Sequence, residues 1–167
     1  GRLALQDGLA PNLAGGMHHG HPDHSEGFCV LNDVAVAVRA LQRDHSVRRV
    51  LLVDLDVHQG NGNAAIFEGD PSVFTFSMHG ARNYPFKKER SDLDVGLEDG
   101  TGDHDYLGQL TAHLKVAIDR ARPDLIFYLA GIDPVEGDRF GKLSLTRLGL
   151  IECERVVLEA VTGRGIP

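Results

Sequence analysis

Cysteine is scarce in this chain of 167 residues: there are two, Cys29 and Cys153, and no Cys-x-x-Cys pair. That scarcity excludes a disulfide framework and a cysteine zinc site, and it favours a reducing compartment. Positive charge is short as well. Lys and Arg total 17 against 24 Asp and Glu, a formal net charge of −7. Such a balance removes the electrostatic basis for nucleic-acid binding and suits a cationic substrate better. Long apolar runs are lacking too. The longest, Val50 to Val53 and Leu125 to Ala130, fall far short of the ~20 residues that span a bilayer. No secretory leader opens the sequence. The expectation is a soluble cytoplasmic protein with neither nucleic acid nor membrane as a partner; the sequence does not define an oligomeric state.

What is present is a globular composition, 42% hydrophobic and 25% charged, of a length that fits one domain over 1–167. Glycine and histidine are abundant, at 20 and 9 residues. Four of the histidines fall between Met17 and Ser25.

Short β-branched apolar runs at Val50–Asp54, Val73–Ser77 and Leu125–Leu129 read as buried strands. Apolar residues at helical spacing predict helices over Leu3–Leu13, Asn32–Asp44, Tyr106–Ala121 and Leu145–Val161. Strands separated by such helices imply right-handed crossovers. The predicted architecture is therefore α/β, a mostly parallel sheet covered by helices on both faces. In that class the site lies beyond the carboxyl ends of the strands. Each strand here runs into Asp or His beside Gly: Asp54-Leu55-Asp56-Val57-His58-Gln59-Gly60-Asn61-Gly62, then Ser77-Met78-His79-Gly80, then Ala130-Gly131-Ile132-Asp133.

Asp56 and His58 are two residues apart, so at a strand end they point to one side. Asp133 can add a third ligand from a neighbouring strand. Two carboxylates and one imidazole leave an open coordination position, the mark of a catalytic metal site. Zinc fits this set, as do ferrous iron and other divalent ions. Asp54 lies on the same side as Asp56, and two carboxylates so placed call for a histidine or a monovalent cation between them. The tandem pair His18-His19 sits in a glycine-rich loop, where imidazoles can move protons near neutral pH. Gly27-Phe28-Cys29 can wall a narrow apolar slot, with Tyr84 and Phe86 as further rim candidates. His21, Asp23 and His24 read as an exposed surface loop between Pro22 and Ser25.

These motifs, together with Asn32-Asp33, resemble the histone deacetylase family within the arginase–deacetylase fold, over roughly Leu3 to Pro167. Glu136-Gly137-Asp138-Arg139-Phe140-Gly141 with Leu143-Ser144 is similar to its class IV branch and bacterial relatives. The resemblance implies a three-layer α/β/α fold and a zinc-dependent deacetylase acting on acyl-lysine or an acylated polyamine. It implies Asp56, His58 and Asp133 as zinc ligands, and His19 as general base and then acid. His18 would be the electrostatic partner, oriented by Asp54. Asn61 stands where many members orient the second histidine with an aspartate. Gly27 would offer its carbonyl to the substrate and Phe28 would line the channel. A potassium site would draw on Asp54, Ser77 and carbonyls around Asp56, His58 and Met78.

The family's oxyanion-stabilising tyrosine follows a Gly-Gly pair, a context that Tyr84, Tyr106 and Tyr128 lack. The chain is therefore expected to be the central part of a deacetylase domain. Two alternatives stand beside this reading. One is a catalytically impaired acyl-lysine-binding module. The other is a ureohydrolase-type binuclear manganese enzyme, disfavoured because Gln59 and Gly60 follow His58 where that branch needs further aspartates.

Overall fold

The computed structural model describes residues 1–167. In chain order the elements are α1 (Arg2–Asp7), α2 (Asp33–Arg43), β1 (Val50–Asp54), α3 (Asn61–Phe67), β2 (Val73–Gly80), β3 (Leu93–Leu97), α4 (Asp103–Ala121), β4 (Leu125–Leu129) and α5 (Arg147–Thr162). The strands form one sheet in the order β3-β2-β1-β4, and every pairing is parallel. β1 lies between β2 and β4, with Asp54 opposite both Ser77 and Leu129.

The pleat sorts β1 into two cores. Leu51 and Val53 join Phe76 and Met78 under Tyr106, Leu110 and Leu114 of α4 and Cys153 and Val157 of α5. Val50 and Leu52 join Val73 and Leu125 on the other face, against Val34, Val38 and Leu41 of α2 and Phe67 of α3. The result is the expected α/β/α sandwich. The alternation continues past the strand: Leu55 and Val57 also enter the α4–α5 core. Asp54, Asp56 and His58 are thereby left to the opposite side.

Besides small shifts of bounds, with β2 running on to Gly80 and α4 starting at Asp103, three elements differ from the sequence reading. The first helix stops at Asp7, where Gly8 adopts φ 85° and caps it, instead of running to Leu13. The short helix α3 and the strand β3 carry weak sequence signals and were not expected. β3 alternates partly buried and exposed positions at the sheet edge. No helix is long and apolar enough to cross a membrane.

Candidate active site

The loop carrying His18 and His19 is held from several directions. Asp33 accepts hydrogen bonds from the backbone N–H groups of Gly16 and Met17, at 3.2 and 2.8 Å. Asn32 caps α2 by accepting from the N–H of Ala35 (2.8 Å), and its amide donates to the carbonyl of Gly20 (3.1 Å). The N–H of Asn63 donates to the carbonyl of His18 at 3.1 Å. The Asn32-Asp33 pair thus serves helix and loop together.

Both imidazoles are buried, and their ring centroids lie 4.1 Å apart. His18 Nδ1 faces Asp54 Oδ2 at 2.7 Å. Burial opposes a charge on this ring, but the Asp54 carboxylate outweighs it and pushes the His18 pKa up to about 9. His19 moves the other way: burial and the neighbouring charged His18 lower its pKa. Adjacent titratable groups driven apart in this manner divide into a permanent charge and a proton carrier. His19 Nδ1 lies 2.6 Å from Asn61 Oδ1.

The loop after β1 and the loop after β4 bring together three side chains able to ligate a metal, Asp56, His58 and Asp133. His58 Nδ1 lies 2.9 Å from Asp56 Oδ1 and 3.0 Å from Asp133 Oδ2. The second oxygen of Asp133 accepts from the N–H of Val57 at 3.0 Å, which fixes its carboxylate. Gly131 allows this approach: a β-carbon there would sit 2.5 Å from Asp56 Cα and 2.8 Å from Asp133 Oδ1. Burial disfavours a charged His58, but hydrogen bonds to Asp133 and Asp56 overcome it and raise its pKa to about 9. One nitrogen aimed at two carboxylates is a place for a cation. Ligands ~2.0–2.1 Å from a tetrahedral ion lie roughly 3.3 Å from one another; the two separations from His58 Nδ1 are near that value, and all three candidate ligand atoms lie within 4.8 Å of one another. The oxygen and nitrogen donors suit zinc or ferrous iron.

With this geometry in view, comparison with known proteins is decisive. A histone deacetylase domain model matches residues 3–166.

The chain belongs to the histone deacetylase family.

It is 52% identical to an uncharacterised protein of Picosynechococcus over 99% of this chain and 55% of that one. It is 32% identical to histone deacetylase 2 of Arabidopsis thaliana over 99% of this chain and 44% of the relative. It is 37% identical to the human polyamine deacetylase HDAC10 over 86% of this chain and 24% of the relative. Among solved structures, an HDAC homolog complexed with SAHA superposes with a TM-score of 0.84 at 27% identity, over 95% of this chain and 46% of that one. The chain spans about half the length of the first two relatives. These matches do not single out the class IV branch.

Within this deacetylase-family fold, the structure gathers most of the residues expected at the site. Tyr84 packs edge-on against His19, with ring centroids 5.1 Å apart, and lies 6.3 Å from His58. Gly27 lies directly against the His19 ring. Phe86 stacks edge-on with Tyr84 at 6.3 Å but is 88% exposed. Phe28, at φ 64°, is fully exposed. Asp54 and Ser77 are side by side across β1 and β2, and Met78 is buried next to Ser77.

One expectation needs correction. Asp23 and His24 are exposed, as expected, but the His21 side chain is not. The rings of His21 and His24 stack at 4.3 Å, and they flank Glu26, with His21 Nδ1 at 3.5 Å and His24 Nε2 at 3.6 Å from Oε2. The same His21 nitrogen is 3.0 Å from the carbonyl of His19, so its proton is already placed. This trio is a carboxylate held between imidazoles. Glu26 itself was missed by sequence reasoning. It accepts from Tyr84 Oη at 2.6 Å and from Asn61 Nδ2 at 3.0 Å. The only local signal is a carboxylate directly preceding Gly27 in a histidine-rich loop.

Proposed function

We propose that this chain carries the hydrolytic centre of a deacylase that removes an acetyl or longer acyl group from a lysine side chain or a polyamine. The observation that carries the reading is the opposed poise of His18 and His19 beside the Asp56–His58–Asp133 ligand set. Relatives named as a histone deacetylase and as a polyamine deacetylase support the substrate class. The acidic surface, with a net charge of −7, suits a cationic product or substrate.

In this reading Asp56, His58 and Asp133 hold one divalent cation, zinc in the first place and ferrous iron as the alternative. When bound, the ion supplies a Lewis acid for the amide carbonyl and acidifies the attacking water. His19 takes the water's proton at Nε2 and returns it to the leaving amine. His18, kept charged by Asp54, makes protonated His19 a stronger acid for that second transfer. Gly27 offers its carbonyl to the substrate amide, and Tyr84, Phe28 and Phe86 border the entrance. A monovalent cation is a subsidiary part of the proposal. The register that sets Asp54 beside Ser77 supports it, with carbonyls of Asp56, His58 and Met78 completing the shell. A cytoplasmic location belongs to the same proposal, supported by two free, buried thiols.

The test is turnover by the full-length protein on an acetyl-lysine peptide and on an N-acetylated polyamine, before and after chelation. Hydrolysis of at least one, abolished by chelation and restored by zinc, is expected. No hydrolysis of either by metal-loaded protein would overturn the reading in favour of an acyl-amine-binding module.

A further inference from the structure

A carboxylate can only accept hydrogen bonds, and that asymmetry runs outward from Glu26 through two residues. Glu26 Oε2 lies 3.0 Å from Asn61 Nδ2. The amide of Asn61 must therefore turn its NH₂ toward Glu26 and its oxygen toward His19. Asn61 Oδ1 is 2.6 Å from His19 Nδ1. A carbonyl oxygen also only accepts, so His19 must carry its proton on Nδ1. Its lone pair is then on Nε2, the nitrogen that a base in this position uses.

Asn61 by itself does not fix this order. Rotated by half a turn, its amide would offer an N–H to His19 Nδ1 and drive the proton to Nε2, the wrong tautomer for a base. With Glu26 in place that rotation would set amide oxygen against carboxylate oxygen. Asn61 is only 2% exposed, so water cannot readily relieve the conflict. Glu26 is well supplied to remain ionised: the hydrogen bond from Tyr84 Oη, with that from Asn61 Nδ2 and the nearby imidazoles of His21 and His24, holds its carboxyl below the usual range.

We propose that Glu26 is a positioning residue that sets the tautomer of His19 through Asn61, in the role that an aspartate at position 61 would fill directly. The inference rests on the reading of His19 as the proton carrier. It adds a residue on the tandem-histidine loop itself, one position before the glycine packed on the His19 ring.

The experiment uses the full-length, metal-loaded protein with ¹⁵N-labelled histidine. In the wild type, His19 is expected as the Nδ1–H tautomer. In Glu26→Met, which removes both acceptor oxygens at similar length, His19 should become a mixture of tautomers. Its kcat on the acyl-amine substrate should fall about 10- to 10²-fold, below the ~10⁴-fold seen when a directly bonded aspartate is lost, while KM stays within about twofold. Glu26→Gln keeps one acceptor and should be intermediate. Asn61→Asp should lower kcat in the wild-type background, where two carboxylates then face each other, yet restore it in the Glu26→Met background. An unchanged His19 tautomer in folded Glu26→Met would overturn the proposal, as would a kcat loss that Asn61→Asp fails to rescue. If the wild type hydrolyses no acyl amine, the deacylase reading falls, while the tautomer measurement still decides the role of Glu26.

Discussion

Gly62 in α3 and Gly108 in α4 are both helical, and helix propensity alone treats alanine at either position the same way. In an unobstructed helix the change stabilises by about 1 kcal/mol. A β-carbon on Gly108 meets nothing within 4 Å, so Gly108→Ala should keep that gain. A β-carbon on Gly62 would lie 2.6 Å from the carbonyl carbon of His19, 2.7 Å from the carbonyl oxygen of His18, and closer still to the carbonyl oxygen of Gly20. All three are backbone atoms of the tandem-histidine loop. Carbon contacts are comfortable at ~3.5–4.0 Å, so the loop must retreat by about 1 Å. Asp33, Asn32 and the N–H of Asn63 restrain it at Met17, Gly20 and His18, and a retreat strains those bonds. Overpacking of this kind costs about 1–3 kcal/mol, more than the helical gain. Gly62→Ala should therefore destabilise, opposite in sign to Gly108→Ala. Because His19 rides on the displaced backbone, kcat should also fall about 10²-fold. Urea unfolding and turnover of the two variants, side by side in the full-length protein, test this. Equal stability gains with full turnover in both would refute the claim that the α3 contact fixes the histidine loop.

His19→Ala should lose about 10²–10⁴-fold in kcat while keeping its metal, since His19 is not one of the three candidate ligands and its Nδ1 is committed to Asn61; activity and metal analysis on one sample check this. Gly131→Ala should part Asp56 from Asp133 and weaken metal binding by about 10- to 10²-fold, read by competition with a chromogenic chelator. Burial pushes the Cys153 thiol up to about 12, so at pH 8 its thiolate is about 10³-fold scarcer than that of a free cysteine; it should resist iodoacetamide in the folded protein and react once unfolded.

The convergence of Asp56, His58 and Asp133 was legible because the first two are written in adjacent residues. Asp56-x-His58 follows an apolar run that can only be a buried strand, and β1 and β4 came out at the bounds read from sequence. Asp133 needed only that β4 neighbour β1, which the parallel pattern makes natural. α3 was hidden because Asn61-Gly62-Asn63 has turn composition; its helix is held by the loop carrying His18, a contact no local pattern encodes. β3 was passed over although Leu93, Val95 and Leu97 alternate with Asp94 and Gly96; the run is short, has a single β-branched residue and contains a glycine, which weakens a strand. Glu26 was silent for a related reason. Its partners, Asn61 and Tyr84, are 35 and 58 residues away, and a single glutamate near a glycine carries no period or spacing. His21 was misread because Pro22 and Ser25 mark a turn, whereas tertiary packing leaves its side chain only 9% exposed.

In the proposed mechanism, deacylation depends on an ion held by Asp56, His58 and Asp133. Metal content per chain and turnover, measured on the same preparations of full-length wild type and Asp133→Ala, test it most directly. One divalent ion and turnover are expected in the wild type, and loss of both together in Asp133→Ala. A full complement of metal in Asp133→Ala would contradict it.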